Sequence, residues 1–203
     1  MQELWNSKFS REEFLYGLEV NDFIKENAHF IPKEARVLCL GEGEGRNAIY
    51  FAKKGCHVEA LDASDIGLKK LHKEAAAQNV AVTTRHTLIE NWQAYGEYDA
   101  IVSTYMHLPQ AEQVDMFRKV LDAIKNDGFF IVEFFSTDQL NFQSGGPKDI
   151  NLLYNLAELH KLFSNLPCTI YKLSQEVVTL GEGKGHNAAA SVIRIILKKS
   201  DSE

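Results

Sequence analysis

The chain has 203 residues, 45% hydrophobic and 25% charged, which is the composition of one ordinary globular domain with room for a sizeable core. Its net charge of −6 argues against a broad phosphate-tracking surface, so nucleic acid is not expected as a partner. The longest apolar runs, FFIV and VIRIIL, are far below the ~20 residues of a membrane span, and MQELWNSKF lacks the basic-then-apolar order of a secretory leader.

The first element, WNSKFSREEFLYGLEVNDFI, is amphipathic through Phe9, Phe14, Leu15, Leu18 and Phe23 and is interrupted at Gly17. It reads either as a helix on the flank of a sheet or as a flap over a cofactor site. From Arg36, short β-branched runs alternate with helical patterns, the mark of a mostly parallel sheet wrapped by helices. RVLCLG is a first strand, buried on both faces; RNAIYFAKKG is a helix ended by Gly55; HVEALDAS is a second strand. Ser64 caps the helix DIGLKKLHKEAAAQN, VAVTTRHT is a third strand and YDAIVSTY a fourth. After Pro109 a helix carries Val114, Phe117, Val120, Leu121 and Ile124 on one face, and NDG turns the chain into a fifth strand, FFIVEFFS. A helix in LLYNLAELHKLF follows. CTIYKLSQEVVTL and AAASVIRIILKK are long strands joined by GEGKGHN, an antiparallel hairpin.

The predicted fold is therefore α/β, a three-layer Rossmann-like arrangement with a seven-stranded, mostly parallel sheet, a C-terminal antiparallel hairpin and helices on both faces. Residues 1–203 form one domain: an N-terminal helical flap (1–30), a cofactor-binding core (36–135) and a substrate-side loop, helix and hairpin (136–203). Cys39, Cys56 and Cys168 are widely spaced, with no Cys-x-x-Cys pair. They suit a reducing, cytoplasmic setting and read as apolar packers rather than metal ligands.

The stretch LCLGEGEGRN carries most of the functional information. Gly43, Gly45 and Ala48 nominally match a dinucleotide fingerprint. With the strand ending at Leu40 and Gly41 taken as first glycine, however, Arg46 falls where the third glycine belongs. Charge weighs more. A carboxylate ~5 Å from a phosphate costs about 3 kcal/mol at an effective dielectric near 20. S-adenosylmethionine has no phosphate and carries a sulfonium and an ammonium group. Glu42 can attract those cations, and Glu44 is read as facing solvent. Asp62, at the tip of the second strand, can accept both ribose hydroxyls. Ligands of open parallel sheets lie beyond the C-terminal strand ends, where Gly41, Asp62, Leu88 and Ser103 converge.

The ordered set FLYGLEVNDFI, LCLGEGEGRNA, VEALDAS, IVSTYMHLP, FQSGGPKD and GEGKGHN resembles class I S-adenosylmethionine-dependent methyltransferases. More narrowly, it resembles the small bacterial proteins grouped with tellurite-resistance methyltransferases. The resemblance covers nearly the whole chain and implies a seven-stranded sheet with a reversed last strand. It also implies that Gly41, Gly43 and Gly45, with Asn47 beside them, pass under the methionine moiety. Asp62 then binds ribose, Ala63 touches the adenine, Leu88 and Ile89 hold the adenine edge, Ser103 lies opposite the glycine turn, and Tyr16 belongs to a flap. Two positions depart from the family pattern. Cys39 stands where an acid is common two residues before the first glycine, with Glu42 as candidate replacement, and Leu88 stands where an acid often follows the third strand.

Methyl transfer is an in-line displacement that needs alignment and exclusion of water. A soft anion needs little more, whereas a hydroxyl or ammonium acceptor needs a base. Candidates are His107 in YMHLP and His186 in EGKGHN, the latter four residues after Glu182. Gly145 and Gly146 are possible hinges of a loop over the acceptor, and Lys148 or Arg46 suits an anionic acceptor group. The expected activity is methyl transfer to a small molecule: a thiol, a metalloid or chalcogen oxyanion, or a small acid. The expected state is a monomer or homodimer. The competing readings are a non-catalytic S-adenosylmethionine-binding protein or sensor, and an NAD-dependent oxidoreductase.

Overall fold

In the computed structural model, which describes residues 2–200, the alternating pattern folds into one seven-stranded sheet. Its strands are β1 (Arg36–Leu40), β2 (His57–Asp62), β3 (Thr83–His86), β4 (Tyr98–Thr104), β5 (Ile124–Phe135), β6 (Cys168–Glu182) and β7 (His186–Lys199), in the order β3-β2-β1-β4-β5-β7-β6. The first five are parallel, and β7 pairs antiparallel with both β5 and β6.

Side chains alternate across a strand, so a strand buried on both faces feeds two cores. Val37 and Cys39 of β1 join one core with Ala48 and Phe51 of α3 (Arg46–Lys53) and Leu68 and Leu71 of α4 (Asp65–Ala77). Leu38 and Leu40 join the other with Phe117 of α5 (Gln110–Ala123) and Leu159 and Phe163 of α6 (Leu156–Phe163). Since β1 leads to β2 on one side while β4 lies on the other, a crevice opens beyond their carboxyl ends. No helix among the described residues is long and apolar enough to cross a membrane.

Three elements differ from the sequence reading. The N-terminal amphipathic stretch is two short helices, α1 (Gln2–Phe9) and α2 (Asp22–Glu26), with non-helical chain between them. Gly17 adopts φ 74°, and Leu18 is 42% exposed rather than packed. Val114 is 37% exposed and Ile124 is the first residue of β5, whereas Phe117, Val120 and Leu121 are buried on α5 as expected, joined by Gln113 and Met116. The NDG segment does not precede β5 but lies inside it: Asp127 takes φ 66°, and pairing with β4 shifts register between Tyr98 and Ala100.

Candidate active site

The glycine turn joins β1 to α3 with Gly41, Gly43 and Gly45 at φ 65°, 60° and 101°, a left-handed conformation that L side chains rarely hold. A Cβ on Gly45 would lie 2.4 Å from Leu71 Cγ, and one on Gly43 would lie 2.8 Å from Phe9 Cζ. Glycine is thus required both for conformation and for close packing. The turn folds Glu42 back onto the start of α3, where one carboxylate oxygen accepts from the Asn47 and Ala48 amides, each at 2.8 Å. Those are the helix N-terminal donors that a pyrophosphate takes in a dinucleotide site. In this chain its own carboxylate fills the anion position. Burial pushes the Glu42 carboxyl up to about 7, opposed by the two amides and the Arg46 charge.

Asp62 ends β2 and stiffens the turn: it accepts from the Gly43 amide at 2.8 Å and the Ser64 amide at 2.7 Å. Burial raises its carboxyl to about 6 against those bonds. Asp62 lines the cleft together with Ala63, Thr87, Leu88 and Ile89, an apolar floor with one carboxylate at its edge. This combination fits an adenosine group bearing no phosphate. Glu44 corrects the solvent-facing expectation. It is 6% exposed, pairs with Lys70 and accepts from the Leu15 amide at 2.8 Å, tying the N-terminal segment to the turn.

Beyond the turn the cleft reaches two histidines. His186, first residue of β7 and 1% exposed, bonds through Nδ1 to Glu182 Oε2 at 3.0 Å. Its ring packs between Tyr16 and Tyr105, with centroids at 4.4 and 4.3 Å. Glu182 is held in turn by Arg46 at 3.0 Å and Asn21 Nδ2 at 2.8 Å. Burial alone would raise the Glu182 carboxyl, yet the His186 hydrogen bond and the Arg46 charge hold it at about 2. Burial lowers His186 below the ordinary 6.5 despite the carboxylate beside it, so at neutral pH the pair is a neutral imidazole on a carboxylate. His107 follows β4. Its Nδ1 is buried without a hydrogen-bond partner, and burial drives its basicity down to about 3.

The sequence-predicted residues divide accordingly. Tyr16, Gly41, Glu42, Gly43, Gly45, Arg46, Asp62, Ala63, Leu88, Ile89, His107 and His186 line one cleft. Glu182 stands behind His186. Asn47 stands behind Glu42, its side chain reaching Thr104 at 3.2 Å and accepting from the Asn21 amide. Ser103 is a correction: its hydroxyl donates to Leu40 O at 2.7 Å inside the sheet, and Thr104 faces the cleft instead. Lys148 is exposed and donates to Phe142 O, outside the cleft. Gly146 packs on Phe135 from outside the lining.

Sequence reasoning passed over Trp5, Tyr105 and Met106, which also line the cleft, and Glu133, which lies beneath it. Glu133 is 1% exposed on β5 and bonds Arg194 at 2.6 Å, Tyr105 at 2.6 Å and Asn21 at 2.8 Å. The available signal was one acid inside the apolar run FFIVEFFS, since a buried charge needs partners.

Residues 37–128 match the family model described as "Methyltransferase domain". No curated protein matches the sequence significantly. Among solved structures, that of "Conversion of a Disulfide Bond into a Thioacetal Group during Echinomycin Biosynthesis" is similar with a TM-score of 0.79 at 13% identity, covering 98% of this chain and 92% of that one. TehB from Haemophilus influenzae is similar at 19% identity with a TM-score of 0.73, covering 98% and 67%. The magnesium protoporphyrin IX methyltransferase of Synechocystis PCC 6803, solved with bound S-adenosylhomocysteine, has a TM-score of 0.64 at 14% identity, covering 98% and 83%. Strand order, the reversed β7 and the glycine-turn cleft agree with the methyltransferase-domain match over residues 37–128, and the chain has the Rossmann-like fold of class I S-adenosylmethionine-dependent methyltransferases.

Proposed function

We propose that this enzyme methylates a small molecule, with His186 as the group that receives the acceptor's proton. S-adenosylmethionine, when bound, supplies a methyl carbon on a positively charged sulfur, and the sulfur leaves with the bonding pair as a neutral thioether. Gly41, Gly43 and Gly45 pass beneath the methionine end. Asp62 takes the ribose hydroxyls, and Ala63, Leu88 and Ile89 hold the adenine. Tyr16 closes the cleft from the N-terminal segment, and Trp5 and Phe9 exclude water beside it.

The observation that carries the reading is the Glu182–His186 pair in the cleft wall. With Nδ1–H donated to Glu182, the Nε2 lone pair is left without a hydrogen-bond partner among the described residues, on a ring that lines the cleft. This is the arrangement of a positioned proton acceptor. Arg46 and Asn21 fix the carboxylate, so the imidazole keeps one tautomer. Arg46 serves the acceptor through this pair rather than by direct contact.

The acceptor classes considered are thiols, metalloid or chalcogen oxyanions such as tellurite, and small acids. The likeness to the structure titled for conversion of a disulfide bond into a thioacetal group lends weight to a sulfur acceptor. A cytoplasmic setting accords with the three unpaired cysteines, and the state proposed is a monomer or homodimer. A panel of thiols, selenite, tellurite, phenols and carboxylic acids incubated with methyl-labelled donor tests the assignment. His186→Ala should slow turnover of the active acceptor roughly 10²–10⁴-fold while leaving donor affinity in place. Full activity in that variant overturns the role of His186.

A further inference from the structure

We propose, resting on the methyl-transfer reading above, that Tyr105 is a positioning residue for His186. It is held by Glu133 and joined through Asn21 to Glu182, so that phenol ring and carboxylate orient the imidazole as one unit. The first observation is a strained backbone. Tyr105 follows β4 at φ 53°, yet it is an aromatic residue, 6% exposed and part of the cleft lining. Bulky side chains avoid that left-handed region and stay there only where the surroundings over-determine them.

Glu133 supplies that constraint at both ends of the residue. Its carbonyl accepts the Tyr105 amide at 2.9 Å, and its Oε1 accepts the Tyr105 hydroxyl at 2.6 Å. The phenol ring so fixed meets the His186 ring at a centroid distance of 4.3 Å and an angle of 70°, and the Phe135 ring at 4.6 Å. Since its hydroxyl proton is engaged by Glu133, Tyr105 acts on His186 through packing rather than as a donor.

The same Glu133 oxygen accepts from Asn21 Nδ2 at 2.8 Å, and Asn21 Nδ2 also donates to Glu182 Oε1 at 2.8 Å. Glu182 Oε2 then bonds His186 Nδ1 at 3.0 Å. The contacts therefore close on themselves, from Tyr105 through Glu133, Asn21, Glu182 and His186 back to Tyr105. Each carboxylate has its own guanidinium, Arg194 at 2.6 Å for Glu133 and Arg46 at 3.0 Å for Glu182. The bridge between them is left to a neutral amide, whose two N–H bonds serve one carboxylate each. A buried polar network whose members are all satisfied is rigid, so a break at one point loosens the rest.

Charged and titratable groups around His186 are Glu182, Arg46, Lys8, His107, Tyr16 and Tyr105. Burial is the largest cause holding His186 below 6.5. A loosened ring is better hydrated, so its basicity should rise toward that value. The test has two readouts on Tyr105→Phe, Asn21→Ser and the double variant. One is ¹⁵N NMR of the His186 imidazole in enzyme saturated with S-adenosylhomocysteine. The other is kcat and KM against pH for the most active acceptor of the panel. Asn21→Ser retains a cap for α2, where Asn21 Oδ1 accepts from the Ile24 amide at 3.1 Å, but cannot bridge two carboxylates.

The parent enzyme should show one tautomer, protonated at Nδ1. Tyr105→Phe should raise the His186 titration midpoint, move the acid limb of kcat to higher pH and lower kcat roughly two- to tenfold. Acceptor KM and S-adenosylhomocysteine affinity should stay in place. The double variant should lose about as much kcat as the slower single variant, because the circuit is already broken. An unchanged His186 titration in Tyr105→Phe, a loss of S-adenosylhomocysteine affinity matching the loss of kcat, or losses that multiply in the double variant overturns the proposal. Full activity in His186→Ala overturns instead the proton-acceptor reading on which it rests.

Discussion

Glu42 and Asp62 are both carboxylates that the backbone has enlisted. Asp62 accepts amides from Gly43 and Ser64, so its loss should loosen the turn as well as remove the proposed ribose contact. Asp62→Ala is expected to weaken S-adenosylhomocysteine by roughly 1–3 kcal/mol. Unchanged affinity in a folded variant contradicts the assignment. Glu42→Ala strips two amides at the start of α3 and should cost about 0.5–2 kcal/mol of stability, as loss of an N-cap does, measured by urea unfolding. The identity of these residues was legible in the sequence; their direction was not. Glu42 turns inward only because Gly41 and Gly43 take positive φ, and Glu44 is buried only because Lys70, 26 residues later, comes to meet it. The anion position was read as repelling phosphate by charge. The structure adds occupancy, since the carboxylate sits where the phosphate would go.

At the level of elements, β5 carries the least visible commitment. Glu133 interrupts an otherwise apolar strand and is neutralised by Arg194 from β7, with Asn21 and Tyr105 completing its shell. Arg194→Met should destabilise the fold by about 3–5 kcal/mol, because the remaining carboxylate is left buried without its counter-charge. A change below 1 kcal/mol in chemical unfolding contradicts that view. Strands β1, β4 and β5 and the terminal hairpin were readable because period-2 patterns and buried apolar runs are local signals. The N-terminal segment was not. Whether Trp5 and Phe9 flank the sheet or roof the cleft depends on contacts with His107 and Gly43, about 100 and 34 positions along the chain. Periodicity carries no record of such partners. His186 was visible as a titratable residue in a Gly-rich hairpin, but its burial follows from the packing of Gly145 and Gly185 around it.

For the molecule as a whole, the raised carboxyls set a pH dependence. Glu42 at about 7 and Asp62 at about 6 both exceed their unfolded values. Their contribution to ligand-free stability is therefore complete below about pH 4 and lost as pH rises through 6–7. A cationic ligand favours the ionised carboxylate, so binding should release protons and strengthen over the same interval. S-adenosylmethionine should show the steeper rise and S-adenosylhomocysteine, lacking the sulfonium charge, the shallower one. Calorimetry in buffers of different ionisation enthalpy reads this directly, and proton uptake contradicts it.

The central claim is that the cleft beyond β1 holds an S-adenosyl ligand because its own carboxylate occupies the helix N-terminus. Titration calorimetry of S-adenosylhomocysteine and NADH against the same protein tests it most directly. Saturable one-to-one binding of S-adenosylhomocysteine, undisturbed by excess NADH, is the predicted result. Saturable binding of NADH, with S-adenosylhomocysteine giving no heat and no competition, would contradict it.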